Sequence, residues 1–237
     1  MEKNRNVKIR KLSALTKIVF LIMLLFVLLT VGGVSQGIRF GIFANPQISW
    51  FKSDIKEVTS EGSRPGVNIG ISMNNYFTNN YAFSTGISIN RLGGKISYND
   101  SIALQLTNRV DTLYPGNILT YKLQYIIIPL GLKFNSDEIG YFTFFAKAGI
   151  DPMINISATG LTSDKRIDSE SISDEINLFN LGYHLGIGIQ YSLGGQTAVQ
   201  FGIDYQNGIL DITTDNENQL TDKIILNSVA LHLGIIF

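Results

Sequence analysis

The sequence predicts an all-β fold, an eight-stranded antiparallel up-and-down transmembrane β-barrel preceded by a cleaved signal peptide. Three observations lead there. Two-residue alternation of apolar with small or polar residues recurs along the chain after Gly37, where no window holds a helical period. The connections alternate long and short, as external loops and periplasmic turns do in outer-membrane barrels. The face opposite the apolar one carries Gly, Ser and Asn, whereas a soluble core needs large aliphatics. The apolar face is therefore expected to look outward, toward lipid.

Composition narrows the function classes. Charged residues are 16% of the chain, below the roughly 25% of soluble domains, and hydrophobic residues are 45%. Lys+Arg and Asp+Glu balance at 19 each, without the cationic excess of a nucleic-acid binder. Cys is absent, which removes disulfides, thiolate metal sites and cysteine nucleophiles.

Residues 1–35 read as the signal peptide. Lys3, Arg5, Lys8, Arg10, Lys11 and Lys17 precede an apolar run from Ile18 to Val31, too short for the roughly 20 residues that span a bilayer. Gly32, Gly33, Val34 and Ser35 form the small-residue cleavage stretch, leaving Gln36 as the mature N-terminus. The exported part, residues 36–237, keeps 13 basic and 18 acidic residues, net −5.

The eight strands follow in order. Residues 37–50 carry Arg39 inward and end on Trp50; a long connection runs from Phe51 to Pro65. In 66–75, Val67, Ile69, Ile71 and Met73 oppose Asn68, Gly70, Ser72 and Asn74. The strand 81–98 starts and ends on Tyr81 and Tyr98, and Gly93 and Gly94 within it read as a bulge that rotates Arg91 off the lipid face. Strand 120–134 points Gly131 and Lys133 inward, and 141–159 does the same with Lys147, Gly149 and Asp151. In 178–193, Leu181, Tyr183, Leu185, Ile187, Ile189 and Tyr191 alternate with Gly182, His184, Gly186, Gly188, Gln190 and Ser192. Strand 197–210 sets Val199, Phe201, Ile203 and Tyr205 against Gln200, Gly202 and Asp204. In 224–237, Val229, Leu231, Leu233, Ile235 and Phe237 alternate with Ala230, His232, Gly234 and Ile236. Aromatics at the strand ends, from Trp50, Phe51, Tyr76, Phe77 and Tyr81 through Tyr98, Tyr121, Phe134, Tyr141, Phe142, Tyr191 and Phe237, read as two interfacial girdles. With a periplasmic N-terminus, eight strands return the C-terminus to the periplasm.

An eight-stranded lumen is filled by side chains, so no water-filled pore is expected. Inward parity places Arg39, Lys133, Lys147, Asp151, His184, Gln190, Gln200, Asp204 and His232 there. Ionisable groups at membrane depth invite a relay or ligand role, but a salt-bridged filling suits so narrow a cylinder better. Antiparallel pairing is expected to set Lys147 beside Gln190 and Asp204 near Gly186. No nucleophile, base and orienter converge, and no catalytic residue, cofactor or metal is expected. His184 and His232 are too sparse for a metal ligand set. The loop acids Asp164, Asp168, Glu170, Asp174 and Glu175 could hold Ca²⁺, but interleaved Lys165, Arg166 and serines favour a solvated loop.

The run from Tyr125 to Phe134, YIIIPLGLKF, resembles the YLEIPLLLKY segment of the PorT-like outer-membrane barrel family of Bacteroidota. Supporting pieces are Ala146 to Gly149, Gly186 to Tyr191, Asp204 to Ile212 and the terminal Phe237, in the same order. The resemblance departs at Ile127, where that family has an inward Glu. It implies an eight-stranded outer-membrane barrel, and some members are linked to protein secretion. The expected partners are outer-membrane lipid and other envelope or secretion proteins, reached through external loops or periplasmic turns, and no nucleic acid. Two rival readings are an outer-membrane barrel enzyme acting on lipid or peptide, which needs a His, an acid and a Ser or second acid converging at one rim where Asp151 and Gln206 have only His184 nearby, and a soluble periplasmic lipid carrier.

Overall fold

The computed structural model describes residues 37–106, 109–214 and 223–237, so the signal peptide read over residues 1–35 lies outside them. Thirteen strands occur in chain order among the described residues. They are β1 (Gly37–Ser53), β2 (Val58–Gly62), β3 (Arg64–Tyr76), β4 (Tyr81–Tyr98), β5 (Ile102–Gln105), β6 (Val110–Leu113) and β7 (Ile118–Ile127). After these come β8 (Leu130–Asn135), β9 (Phe142–Thr162), β10 (Asp168–Ser171), β11 (Phe179–Gly194), β12 (Thr197–Gly208) and β13 (Ile224–Ile236). β7 and β8 are one stave interrupted at Pro129, which has no N–H to give. Both halves pair with β4 and with β9.

Eight staves result, each antiparallel to its neighbours, in the order β1, β3, β4, β7/β8, β9, β11, β12, β13. Pairing of β13 with β1, from Ile236 opposite Gly41 to Ile224 opposite Ser53, closes the ring. Closure matters because an unpaired backbone group in hydrocarbon costs several kcal/mol. All eight expected strands are present at close to their expected bounds. Their apolar residues face outward: Phe40, Ile42, Ile69, Ile71, Ile87, Ile89, Phe144, Ile187, Phe201, Ile203 and Leu231 are all exposed. An aqueous carrier with this surface is excluded.

The staves are longer than a membrane needs. β9 has 21 residues, and at about 3.3 Å per residue and a tilt near 40° it rises roughly 50 Å, about twice the apolar band of a barrel. The external part therefore stands in water and folds as a soluble domain does. Its interior is a hydrophobic core of Phe51, Leu92, Ile96, Leu119, Tyr121, Leu123, Tyr125, Ile127 and Met153. The long connections close over it, contributing Val58 from β2, Ile102, Leu104 and Leu113 from the β5–β6 hairpin, Ile167 before β10, and Ile172, Ile176 and Ile212.

This cap corrects three expectations. The inward face is small and polar only in the membrane-embedded half; above it large aliphatics take over. Phe51, Tyr98 and Tyr121 point into the core and Tyr76 into the lumen, so none belongs to a girdle. The girdle at the short-turn end stands, built from Phe77, Tyr81, Phe134, Tyr141, Phe142, Tyr191 and Phe237. Finally, Gly93 and Gly94 form no bulge. β4 pairs with β7 in unbroken register from Ser88 to Ser97, and Arg91 stays exposed on the outer face. Those glycines make room instead: a Cβ on Gly94 would lie 2.7 Å from the Phe51 ring, and Ser49 Oγ both accepts from Gly93 N (2.9 Å) and donates to Gly93 O (2.7 Å). A bulge lies instead in β9, where Ile156 is inserted between Asn155 and Ser157 against Tyr125 and Gln124.

Candidate functional site

Beneath the core, the alternation of every stave sends polar side chains into the lumen, where they form two hydrogen-bonded groups. Lys147 of β9 and Asp204 of β12 both flank Gly186 of β11. With no side chain at Gly186 to separate them, Lys147 Nζ donates to Asp204 Oδ2 at 2.9 Å. Lys147 was expected beside Gln190; its partner is Gly186, four residues away, and Gln190 lies opposite Thr143. Asp204 near Gly186 is as expected. His232 Nδ1 joins the pair, 3.3 Å from Asp204 Oδ2 and 3.4 Å from Lys147 Nζ. Asn45 Nδ2 donates to the same carboxylate oxygen at 3.5 Å.

From this centre the first group runs toward the periplasmic end. His232 Nε2 lies 3.4 Å from Gln200 Oε1, whose amide donates to Gln190 Oε1 at 3.1 Å. Gln190 Nε2 donates to Asn135 Oδ1 (3.1 Å), and Asn135 Nδ2 to the Tyr76 hydroxyl (2.9 Å). The Arg39 guanidinium stacks 5.0 Å from the Tyr76 ring centroid. Lys133, only 3% exposed, reaches Gln190 Oε1 at 3.5 Å and lies 4.7 Å over the Phe145 ring. Among the described residues it has no ion pair.

A second group sits under the hydrophobic core. His184 Nδ1 is 2.8 Å from Asp151 Oδ1, and Gln206 Nε2 donates to Asp151 Oδ2 at 2.7 Å. Asn90 Nδ2 donates to Gln206 Oε1 at 3.4 Å, and Gln47 to Asn90 Oδ1. Asp151 was read as a rim residue; it is 3% exposed, because β9 continues eleven residues beyond it to Thr162. All nine sequence-predicted lumen residues thus point inward, eight of them joined by polar contacts and Arg39 by its stacking on Tyr76. Parity also held Asn45, Gln47 and Asn90, on the same inward face as Arg39 and Gly86, and they complete the two groups.

The two groups enclose a cavity of about 100 Å³, lined also by Ser72, Ser84, Thr85 and Ser88. It has room for a few waters. The hydrophobic core lies above it and the Gln190, Gln200 and Lys133 layer below. The His184–Asp151 pair could orient a proton, and these layers lie between it and the two rims. Outside the lumen the loop acids do not converge. Glu170 pairs with Arg109 (2.9 Å), Asp164 accepts from Thr162 Oγ1 (2.6 Å) and faces Arg166, and Glu175, expected in a solvated loop, is buried.

A family model agrees with this architecture. Residues 34–233 match the family model described as outer membrane protein beta-barrel domain. No curated protein matches. Among solved structures, neisserial surface protein A is 16% identical, with 85% of this chain and 98% of that one covered and a TM-score of 0.47. OprG from Pseudomonas aeruginosa is 11% identical over 86% and 98%, TM-score 0.45. Ail of Yersinia pestis is 14% identical over 84% and 98%, TM-score 0.40. A closed eight-stave ring with an apolar exterior, matched over most of its length by one family model, makes the chain a bacterial outer-membrane protein that belongs to the outer membrane protein beta-barrel domain family.

Proposed function

We propose that this barrel is a non-enzymatic interaction component of the cell envelope, of the PorT-like kind, which engages another envelope or secretion protein through its external cap. The observation that carries this reading is the hydrophobic core in the external half. It closes the lumen and holds the connections between staves as a folded surface, with Val110 and Tyr114 of the β5–β6 hairpin region exposed on it. A lumen filled by side chains leaves little for transport, and a His184–Asp151 pair beneath the core little for catalysis, whereas a folded cap loses less entropy on binding a partner than unfolded loops would. Ile127 fits the same picture. Where the PorT-like segment carries an inward Glu, this chain buries an aliphatic residue that extends the core downward.

A photo-crosslinking residue placed at 110 or 114 in cells tests it. A discrete adduct to one envelope protein from these positions, with none from position 195 in a periplasmic turn, is the expected result. Adducts only from 195 would move the interaction to the turns. Absence of any discrete adduct at all three positions would remove the reading.

A further inference from the structure

Just above its apolar band the outer face of β4 and β7 carries a group of three cations, with Lys52 apart from it on the outer face of β1. Outward parity of β4 continues from Ile87 and Ile89 to Arg91 and Lys95, both exposed. Lys122 of β7 stands opposite Gly93, midway between them. In an antiparallel pair that makes Arg91 and Lys95 its two diagonal neighbours, about 7–8 Å away each. The residues directly opposite the three are uncharged: Gln124 and Val67 face Arg91, Thr120 faces Lys95, and Thr159 faces Lys122. Among the described residues none of the three cations is in an ion pair. Two acids on the neighbouring β2 and β10 make other bonds, Glu61 accepting from Ser97 Oγ at 2.6 Å and Asp168 from Ser169 Oγ at 3.5 Å. Lys122 Nζ donates to Ser169 Oγ at 3.0 Å.

Depth places this triangle. Tyr81 belongs to the short-turn girdle, packed on Phe77 and Phe134. Ten residues separate it from Arg91, about 33 Å of strand and about 25 Å of height at a tilt near 40°, the full height of an apolar band. Arg91 and Lys122 therefore lie where lipid hydrocarbon gives way to headgroups, and Lys95 about 10 Å higher. On the opposite wall the external rim presents Phe179, Tyr183, Tyr205 and Ile209 instead.

We propose that this face of β4 and β7 is a binding site for a phosphorylated lipid of the outer leaflet. Arg91, Lys95 and Lys122 hold the headgroup phosphate and the acyl chains lie on Ile87, Ile89 and Ile126. Arg91 supplies the planar fork suited to two phosphate oxygens and the lysines supply point charges. The outward direction of all three, at the edge of hydrocarbon, selects a membrane lipid over a soluble anion.

The test is a titration of the refolded full-length mature barrel in zwitterionic micelles, followed by native mass spectrometry. The probes are diphosphoryl lipid A, the same lipid with its phosphates removed, and inorganic phosphate. One phosphorylated lipid is expected to stay bound, with the dephosphorylated lipid at least tenfold weaker and inorganic phosphate unable to compete at equal concentration. Arg91→Gln, Lys95→Gln and Lys122→Gln should each weaken binding about fivefold, and the triple variant about a hundredfold. The triple replacement Arg91→Lys, Lys95→Arg and Lys122→Arg should restore it, and Lys52→Gln, an equal charge change on β1, should leave it unaltered. Folding of each variant is read from heat-dependent gel migration; if the triple variant does not fold, the single variants decide. Wild-type affinity in the Gln variants, an equal loss in Lys52→Gln, indifference to the lipid phosphates, or competition by inorganic phosphate would each overturn the proposal.

Discussion

Leu231 and His232 are adjacent on β13 and face different media, Leu231 half exposed toward lipid and His232 6% exposed in the lumen. An Arg on the lipid face near mid-membrane costs about 2–4 kcal/mol. Exchanging a lumen side chain for another polar one of similar volume puts about one hydrogen bond at stake, about 0.5–1.5 kcal/mol. Leu231→Arg should therefore lower the stability measured by urea unfolding in lipid vesicles by the larger amount, while His232→Gln, able to keep a bond to Gln200 or Asp204, stays close to wild type. The opposite ranking would mean that the strand's faces are reversed. The Lys147–Asp204 pair allows a second test in the same assay. Lys147→Met strands a largely buried carboxylate and should destabilise by about 3 kcal/mol. Adding Asp204→Asn removes the stranded charge and should recover part of the loss, a coupling of at least about 1 kcal/mol.

Among the elements, the turn between β9 and β10 is organised by one carboxylate. Asp164 accepts from the Thr162 hydroxyl at 2.6 Å and from the Arg166 backbone N–H at 3.1 Å. These bonds, the Thr162 bond foremost, together with the Arg166 charge hold its pKa below the ordinary carboxylate value. A depressed folded-state pKa means that the turn's stabilisation is present above the unfolded value, about 3.9, and is lost as pH falls through the lower folded one. The protection factor of the Arg166 amide, its exchange relative to the intrinsic rate at each pH, should thus be unchanged from neutral pH down to about 4 and fall only in stronger acid. In Asp164→Asn the acid-dependent step should disappear. A step centred near pH 6 would show that another group controls the turn.

For the whole molecule, two layers occlude the lumen, the polar groups in the membrane and the hydrophobic core above them. Planar bilayers containing the purified barrel should show no stable unit conductance; reproducible large steps would contradict the packing described. The eight strands and the outward direction of their apolar residues were legible in the sequence, since side-chain period two dictates both. So were all nine lumen residues. The position of Lys147 beside Gly186 was not. A register slip of one residue turns every side chain over, but a slip of four leaves each on its own face, so alternation cannot tell the two pairings apart.

The same limit explains the aromatics. Tyr98 and Tyr121 end strands, as girdle residues do, yet both point into the core. Alternation divides a strand into two faces without saying which medium lies beyond each at a given height. The sequence by itself determined that this chain forms an outer-membrane barrel and which polar groups fill it, because membrane burial imposes a strict period and a closed sheet. Only the tertiary structure decided that the staves outrun the membrane, that their upper interior is an apolar core roofed by the loops, and that Lys147, Asp204 and His232 meet. Those outcomes depend on stave length, shear and long-range register, which arise when eight separate strands close on one another.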